Sequence, residues 1–299
     1  MNDPSTQRID RPHRTAAPVM LSLDAGRMWA NQEYLPQLER AGLTNFASIM
    51  ATQSGRLLRT LSDRENWRLE LDRGGQGRQG MYLKKHRIRS WTNWLRAKLG
   101  AGPSATPGRV EARNVERLEQ SGIAAMRLVA YGEGLRRDGV AESFVLTEEL
   151  TGYVQLDHFL RQRFEPVHGF AANGQAPHLR RLIDAVADVA GRFHRAGFNH
   201  RDLYCCHFFI REPSAGRFLV NLIDLQRVER RRWLRRRWVI KDLAQLAYSA
   251  PRERITRTRR LAFVKQYLQT SRLLPEHKRL IRQVLAKQRT MERRLGVHP

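Results

Sequence analysis

Cysteine is nearly missing from this 299-residue chain, which holds two, adjacent at Cys205 and Cys206. A disulfide framework is excluded, and a reducing compartment is expected. No stretch of about 18 apolar residues occurs, so no transmembrane helix is expected. Met1 to Pro18 contains no signal-peptide core; its prolines and charges point to a disordered lead-in over residues 1–18. Internal repeats and long low-complexity tracts are also absent. Acidic side chains are scarce, 29 against 54 Lys and Arg, leaving a net charge of +25. That excess predicts a polyanionic partner: nucleic acid, an anionic membrane surface or a phosphorylated glycolipid.

What is present suits a globular protein. Hydrophobic residues make up 41% of the chain, and the length accommodates one bilobal unit or two small domains. Leu57 to Leu61 and Trp67 to Leu71 flank a polar turn at Ser62 to Asn66, which predicts a hairpin. The glycine-rich loop Gly74 to Gly80 leads into a short strand, Met81 to Lys84. Val110 to Gln120 follows a helical rhythm closed by Gly122, and strand-like pieces follow at 127–131 and 143–146. Apolar residues from Leu179 to Phe193 recur at helical spacing, and Gly197 stops that helix. Short strands at 208–210 and 218–223 come next, then helices at 242–250 and 261–268, with room for another in the basic C-terminal stretch. Strands first, helices later, and a crossing near Glu148 to Gly152 predict a two-lobed α+β protein with a cleft between the lobes. The expected division is 19–150 for the N-lobe and 151–299 for the C-lobe.

The chemistry concentrates in Asn199-His200-Arg201-Asp202-Leu203-Tyr204-Cys205-Cys206-His207. This stretch opens like the His-Arg-Asp catalytic loop of protein kinases, with His207 where an asparagine is usual. Asp224 closes the apolar run Leu222-Ile223 downstream. Two carboxylates so spaced suit phosphoryl transfer: Asp202 at the attacking hydroxyl, Asp224 holding Mg²⁺ on the phosphates. Lys84, ending a strand ahead of a helix, fits the lysine that contacts phosphates in such enzymes; a solvated basic edge is the plainer alternative. Its helix partner is left open, because Glu111, Glu116 and Glu119 share that helix. His207 has three open roles: weak metal ligand, phosphate contact or loop scaffold, since imidazole suits hard Mg²⁺ less well than oxygen. His194, His200, His207 and the cysteines lack the spacing of structural zinc, and the two cysteines read as packing residues beside the loop.

Arg227, Arg230, Arg231, Arg232, Arg235, Arg236 and Arg237 crowd the segment after Asp224, interleaved with Trp233 and Trp238. A solvated helix face is the plain reading. Arginines that grip phosphates, beside tryptophans that prefer a membrane interface, predict acceptor docking at an anionic leaflet. Lys84 to Lys98, with Trp91 and Trp94, has the same character. No nucleic-acid partner is expected, because no helix-turn-helix, zinc-finger or RNA-recognition signature accompanies these patches.

Phe198 to Phe208, supported by Tyr82-Leu83-Lys84-Lys85-His86, Ser143 to Leu150, Val220 to Arg227 and Lys241-Asp242-Leu243, resembles the lipopolysaccharide core heptose kinase and Kdo kinase family of Gram-negative bacteria. The resemblance runs from about Leu57 to Leu268. It implies a protein-kinase-like fold with a mainly β N-lobe and a mainly helical C-lobe. It further implies ATP held around Thr147 to Leu150, with Glu148 and Leu150 contributing, Lys84 on phosphates and Glu111 as its partner. Asp202 would be the catalytic aspartate, Asp224 the Mg²⁺ ligand with His207 beside it, and Asp242 a buried support for the loop. A glycine-rich phosphate loop of the usual kind is missing; the turn at Ser62 to Asn66 is expected to cover the nucleotide.

The expected activity is ATP- and Mg²⁺-dependent phosphorylation of an inner-core lipopolysaccharide sugar, heptose first, with Kdo the alternative. The acceptor, carried on lipid A, implies a cytoplasmic enzyme peripheral to the inner membrane's inner face, and an acidic protein partner also suits the +25 surface. Two readings compete: a protein or small-molecule kinase, and a basic binding module on a kinase scaffold without activity.

Overall fold

The computed structural model describes residues 18–166, 176–230 and 235–296. All of the expected lead-in except Pro18 lies outside the described residues, as do Arg231, Arg232 and Trp233.

The N-terminal part is a seven-stranded antiparallel sheet in the order β1-β2-β6-β7-β5-β4-β3. Its strands are β1 (Met20–Leu23), β2 (Met28–Asn31), β3 (Arg56–Leu61), β4 (Arg64–Asp72), β5 (Arg78–Arg89), β6 (Leu128–Leu135) and β7 (Val140–Glu148). β7 is central, paired on both sides, and its run Phe144-Val145-Leu146 is wholly buried. Successive side chains alternate between faces. Phe144 and Leu146 join a core capped by α1 (Leu35–Arg40) and α2 (Phe46–Ala51). Val145 joins the opposite core beneath α4 (Pro107–Gln120). Register then settles the direction of Lys84. It lies directly opposite Val145, and directly opposed residues share a face, so Lys84 points at α4 while Leu83 points into the other core.

β5 is twelve residues long, well beyond the expected 81–84. Lys85 and His86 pair with β4 and β7 on both sides, and Arg87 with β7, because ladder bonds are made by backbone whatever the side chain. Lys85 is buried, its ammonium donating to the Thr52 carbonyl and lying 5.2 Å from the Trp67 ring centre. The hairpin turn is correspondingly shorter than expected: Arg64, Glu65 and Asn66 are already paired with β3, leaving Ser62 and Asp63. Neither β1, β2, α1, α2 nor α3 (Trp91–Lys98) was legible from periodicity.

The C-terminal part is mainly helical: α5 (Leu156–Arg163), α6 (Ala176–Arg195), α7 (Arg235–Ser249), α8 (Arg257–Leu268) and α9 (Pro275–Leu295). α6 spans the expected apolar period, with Leu179, Leu182, Ile183, Val186, Ala190 and Phe193 buried on one stripe. A small sheet joins β8 (Val154–Gln155), β10 (Phe208–Ser214) and β11 (Arg217–Leu222), and β9 (Phe198–Asn199) pairs with β12 (Glu229–Arg230). β9 and β10 bracket the His200-Arg201-Asp202 loop, and β11 delivers Asp224. The expected mainly β N-lobe and mainly helical C-lobe is the architecture found. No helix among the described residues is long and apolar enough to cross a membrane.

Candidate active site

Thr106 caps α4 by accepting from the Arg109 amide at 3.4 Å, and Pro107 supplies a preset first turn. Gly108 lets that turn press onto β7: a Cβ there would stand 2.6 Å from the Phe144 carbonyl oxygen. Fixed this close, α4 aims buried Glu111 at the sheet, and Lys84 Nζ donates to Glu111 Oε1 at 2.7 Å. The same ammonium donates to Asp224 Oδ1 at 3.1 Å. The structure therefore selects Glu111 over Glu116 and Glu119 as the partner of Lys84. Burial works against the charged ammonium, but Glu111 and Asp224 outweigh it and hold the Lys84 pKa above the ordinary lysine value. Burial likewise pushes Asp224 upward, and Lys84 with His207 more than reverses this, leaving its carboxyl below the usual range.

Asp224 sits in the left-handed region, φ 55° and ψ 59°, directly after β11. That turn swings the carboxylate out of the strand and sends Leu225 back into the core. Asn114 of α4 secures the segment by donating to the Leu225 and Val228 carbonyls at 2.8 and 2.9 Å. One helix thus positions Glu111 and steadies the backbone of the aspartate beside it.

The Asp202 loop hangs from α7. Asp242, fully buried, accepts from the His200 amide at 2.7 Å and the Arg201 amide at 2.8 Å. Gln245 accepts from the Leu203 amide at 3.2 Å, and Ser249 from the Cys205 amide at 2.8 Å. Positions 242, 245 and 249 fall on one helix face, so a single polar stripe holds four loop amides. Gln245 and Ser249 were not anticipated. The signal was there: polar residues at i, i+3 and i+7 in the otherwise apolar stretch Asp242 to Ala250. Arg201 adopts φ 71°, a left-handed conformation held by Asp242 and by Lys241, whose ammonium donates to the Arg201 carbonyl.

His207 Nδ1 contacts the Asp202 carbonyl at 2.5 Å. A carbonyl only accepts, so Nδ1 donates, and Nε2 faces Asp224 Oδ2, 3.8 Å away. The His200 ring stacks on it at 5.4 Å and donates from Nε2 to the Ile223 carbonyl at 3.0 Å. Burial, with His207 adding, holds the His200 pKa down at about 4, so this ring is neutral. A carboxylate and an imidazole nitrogen facing one gap form a donor set that a divalent cation, in displacing any proton on that nitrogen, can share with phosphate oxygens and water. Among the described residues no three His, Cys, Asp or Glu side chains cluster to hold a metal alone. Burial pushes the Cys205 thiol up to about 12, so it packs as a neutral group.

Asp202 is ringed by cations. Arg227 Nη1 meets Oδ2 at 2.7 Å, Lys241 Nζ lies 3.9 Å from Oδ1, and the Gln245 amide donates to Oδ1 at 3.4 Å. The described arginines of the segment meet different partners. Arg227 faces Asp202, Arg230 lies over the Phe198 ring, Arg236 bonds Gln283 of α9, and Arg237 lies beside the Trp238 ring, while Arg235 opens α7. Glu148 and Leu150 stand where the chain leaves β7. Glu148 accepts from the Tyr34 hydroxyl, whose pKa burial drives upward, and the Leu150 carbonyl accepts from the Tyr153 amide at 3.1 Å. At the end of the β3–β4 hairpin, Arg64 donates to Gln226, two residues past Asp224, at 3.4 Å.

A second feature lies in the helical part. Leu182, Leu246, Phe263 and Val284 are among the apolar side chains lining a cavity of about 910 Å³ between α5, α6, α7, α8 and α9. Arg252, Arg257, Arg259, Arg260 and Arg289 also border it.

Residues 47–267 match the model of the lipopolysaccharide kinase (Kdo/WaaP) family. The chain is 37% identical over 233 residues to the lipopolysaccharide core heptose(I) kinase WaaP of Pseudomonas aeruginosa, covering 76% of this chain and 81% of that protein. To its Escherichia coli namesake it is 30% identical over 220 residues, covering 72% and 78%. A solved structure of WaaP in complex with acyl carrier protein superposes with a TM-score of 0.66 at 32% identity, covering 90% of this chain and 99% of that one.

Proposed function

This chain belongs to the lipopolysaccharide kinase (Kdo/WaaP) family and is a kinase of a lipopolysaccharide core sugar, and we propose that it transfers the γ-phosphoryl of ATP to a hydroxyl of inner-core heptose with Mg²⁺ bound. The observation that carries the assignment of roles is the meeting of Glu111, Lys84, Asp224 and His207 in one chain of contacts, whose last member also bonds the Asp202 backbone. An ammonium has three protons to donate. Glu111 and Asp224 take two, leaving one for the nucleotide phosphates. Asp224 and the Nε2 of His207 would hold the cation, which supplies charge neutralisation on the phosphates.

Asp202 accepts the hydrogen bond of the acceptor hydroxyl and takes its proton as the sugar oxygen bonds to phosphorus and ADP departs. Its contact with Arg227 must open first. An acceptor bearing phosphate or carboxylate provides the exchange partner, drawing the guanidinium away and freeing Oδ2. Arg227 therefore orients the acceptor while uncovering the base.

The net charge of +25 supports a peripheral location on the cytoplasmic face of the inner membrane, where a lipid A-borne acceptor is presented. An acidic acyl carrier protein is a second partner of this reading. The bordering arginines suit its carboxylates, and the apolar cavity suits its acyl chain. The deciding experiment incubates the protein with ATP, Mg²⁺ and core acceptor from a strain lacking core phosphate. Mass spectrometry is expected to find one added phosphate on heptose. Asp202→Asn is expected to lower the rate by about 10²–10⁴ without changing the melting curve; wild-type turnover by that variant would refute the role given to Asp202.

A further inference from the structure

α3 is amphipathic in the reverse sense. Trp91, Trp94 and Leu95 stand at i, i+3 and i+4, with Leu99 one turn on, an apolar stripe of the kind that a surface helix turns to the core. Here it faces solvent: Trp91 is 72% exposed, Trp94 47%, Leu95 40% and Leu99 74%. The inward residue is polar. Asn93 is buried and accepts from the Ser104 hydroxyl at 2.8 Å and amide at 3.4 Å. Ser90 caps the helix by accepting from the Asn93 amide at 3.2 Å. Gly139, at φ 80°, receives the helix closely, since a Cβ there would stand 2.6 Å from Trp94 Cα. Turning the stripe inward would break the Asn93 bonds and meet this backbone, so its outward display is built into the fold.

The surroundings are basic. Arg89 precedes the helix, Arg96 and Lys98 lie on it, and Arg136 and Arg137 stand in the adjoining β6–β7 turn, all exposed. The carboxylate of that turn, Asp138, pairs with Arg136 at 3.1 Å and Arg89 at 4.0 Å. Lys98 lies 5.7 Å from the Trp94 ring centre. α3 follows β5, the strand of Lys84, and the Arg87 amide near that junction donates to Asp63 in the β3–β4 turn.

We propose that α3 is a membrane-docking helix: Trp91, Trp94, Leu95 and Leu99 enter the interfacial layer of an anionic bilayer while Arg89, Arg96 and Lys98 meet lipid phosphates. Tryptophan beside cations is the composition that favours this layer, whose headgroup depth accepts the indole and whose charge holds the bases. An acidic protein would satisfy the cations but offers no comparable depth for four apolar side chains on one short helix. The proposal rests on the reading of the acceptor as a glycolipid, and it gives the protein a hold on the surface that carries such an acceptor.

The test uses the full chain and vesicles of phosphatidylethanolamine with phosphatidylglycerol, against phosphatidylcholine alone. Tryptophan emission is expected to shift blue and to be quenched by brominated acyl chains with the anionic vesicles alone. Trp91→Ser/Trp94→Ser/Leu99→Ser is expected to lose this binding, and each of Arg96→Gln and Lys98→Gln to weaken it about fivefold. All three variants should phosphorylate lipid-free core oligosaccharide at the wild-type rate while losing activity on vesicle-borne lipopolysaccharide. Failure of the wild type on both acceptors would refute the kinase reading; unchanged vesicle binding by the triple variant would refute the docking proposal. Loss of self-association or of carrier-protein binding, with vesicle binding intact, would also overturn it.

Discussion

Asp242→Asn is the sharpest perturbation of the active-site loop. The native carboxylate accepts two buried amides, from His200 and Arg201, one on each oxygen. The replacement has one accepting oxygen and one donating nitrogen, so whichever way it lies one backbone N–H faces an N–H. A hydrogen bond to a charged group contributes about 1.5–3 kcal/mol, and an orphaned buried donor costs about 1–3 kcal/mol. Arg201 at φ 71° adds about 1–3 kcal/mol of strain that the surroundings must hold. The expected loss is about 3–5 kcal/mol, or a melting temperature lower by roughly 6–10 °C, at about 2 °C per kcal/mol for a chain of this size. Activity should fall further than stability. With Arg201 free to relax, Asp202 shifts, and a displacement of about 1 Å can cost about 10²-fold in rate. Calorimetry gives the first quantity and phosphate transfer at a temperature where the variant is folded gives the second. A variant that melts and turns over like the wild type would sink the reasoning.

Gly108→Ala should crowd the Phe144 backbone, cost about 1–3 kcal/mol, and raise the KM for ATP by moving α4 and Glu111 away from Lys84; an unchanged KM counts against the positioning argument. Arg227→Met removes a guanidinium that is 53% exposed; such a pair contributes about 0.2–1 kcal/mol to stability, so the melting curve should hold while the acceptor KM rises about 10–100-fold. His86 is buried, and burial, with Arg64 and Lys84 adding, holds its pKa down at about 4. The unfolded chain binds that proton near pH 6.5, so the fold keeps full stability above that pH and loses it as pH falls toward 4, by up to about 3 kcal/mol. Denaturant titrations of wild type and His86→Asn between pH 7 and 4.5 check this, and parallel profiles would contradict it.

Much of the site was legible in the chain itself. The His200-Arg201-Asp202 stretch and Asp224 carry their chemistry in residue type and spacing, and Lys84 was marked by its strand. The helical periods at 110–120 and 179–193 also reappear, because periodicity reports a buried face wherever that face meets the core. β5 beyond Lys84 was not readable, since its ladder partners cover backbone while its side chains stay charged. α3 was read as a basic patch, because an apolar stripe does not say whether it turns inward or outward. That was decided by Asn93 and Gly139 against their neighbours.

Residue order thus settles which groups can do chemistry and which segments wind or extend, because those preferences arise among residues a few positions apart. Pairing is different. Glu111 was chosen over Glu116 and Glu119 across 27 residues, and Asp224 met Lys84 across 140. Arg227 came to cover Asp202 at a separation of 25. Such contacts depend on strand register, on how closely α4 lies against β7 and on the left-handed turns at Arg201 and Asp224, all products of packing between elements. The opening motif named a phosphoryl-transfer loop; the fold supplied the stripe on α7 that holds it and the arginine that covers its aspartate.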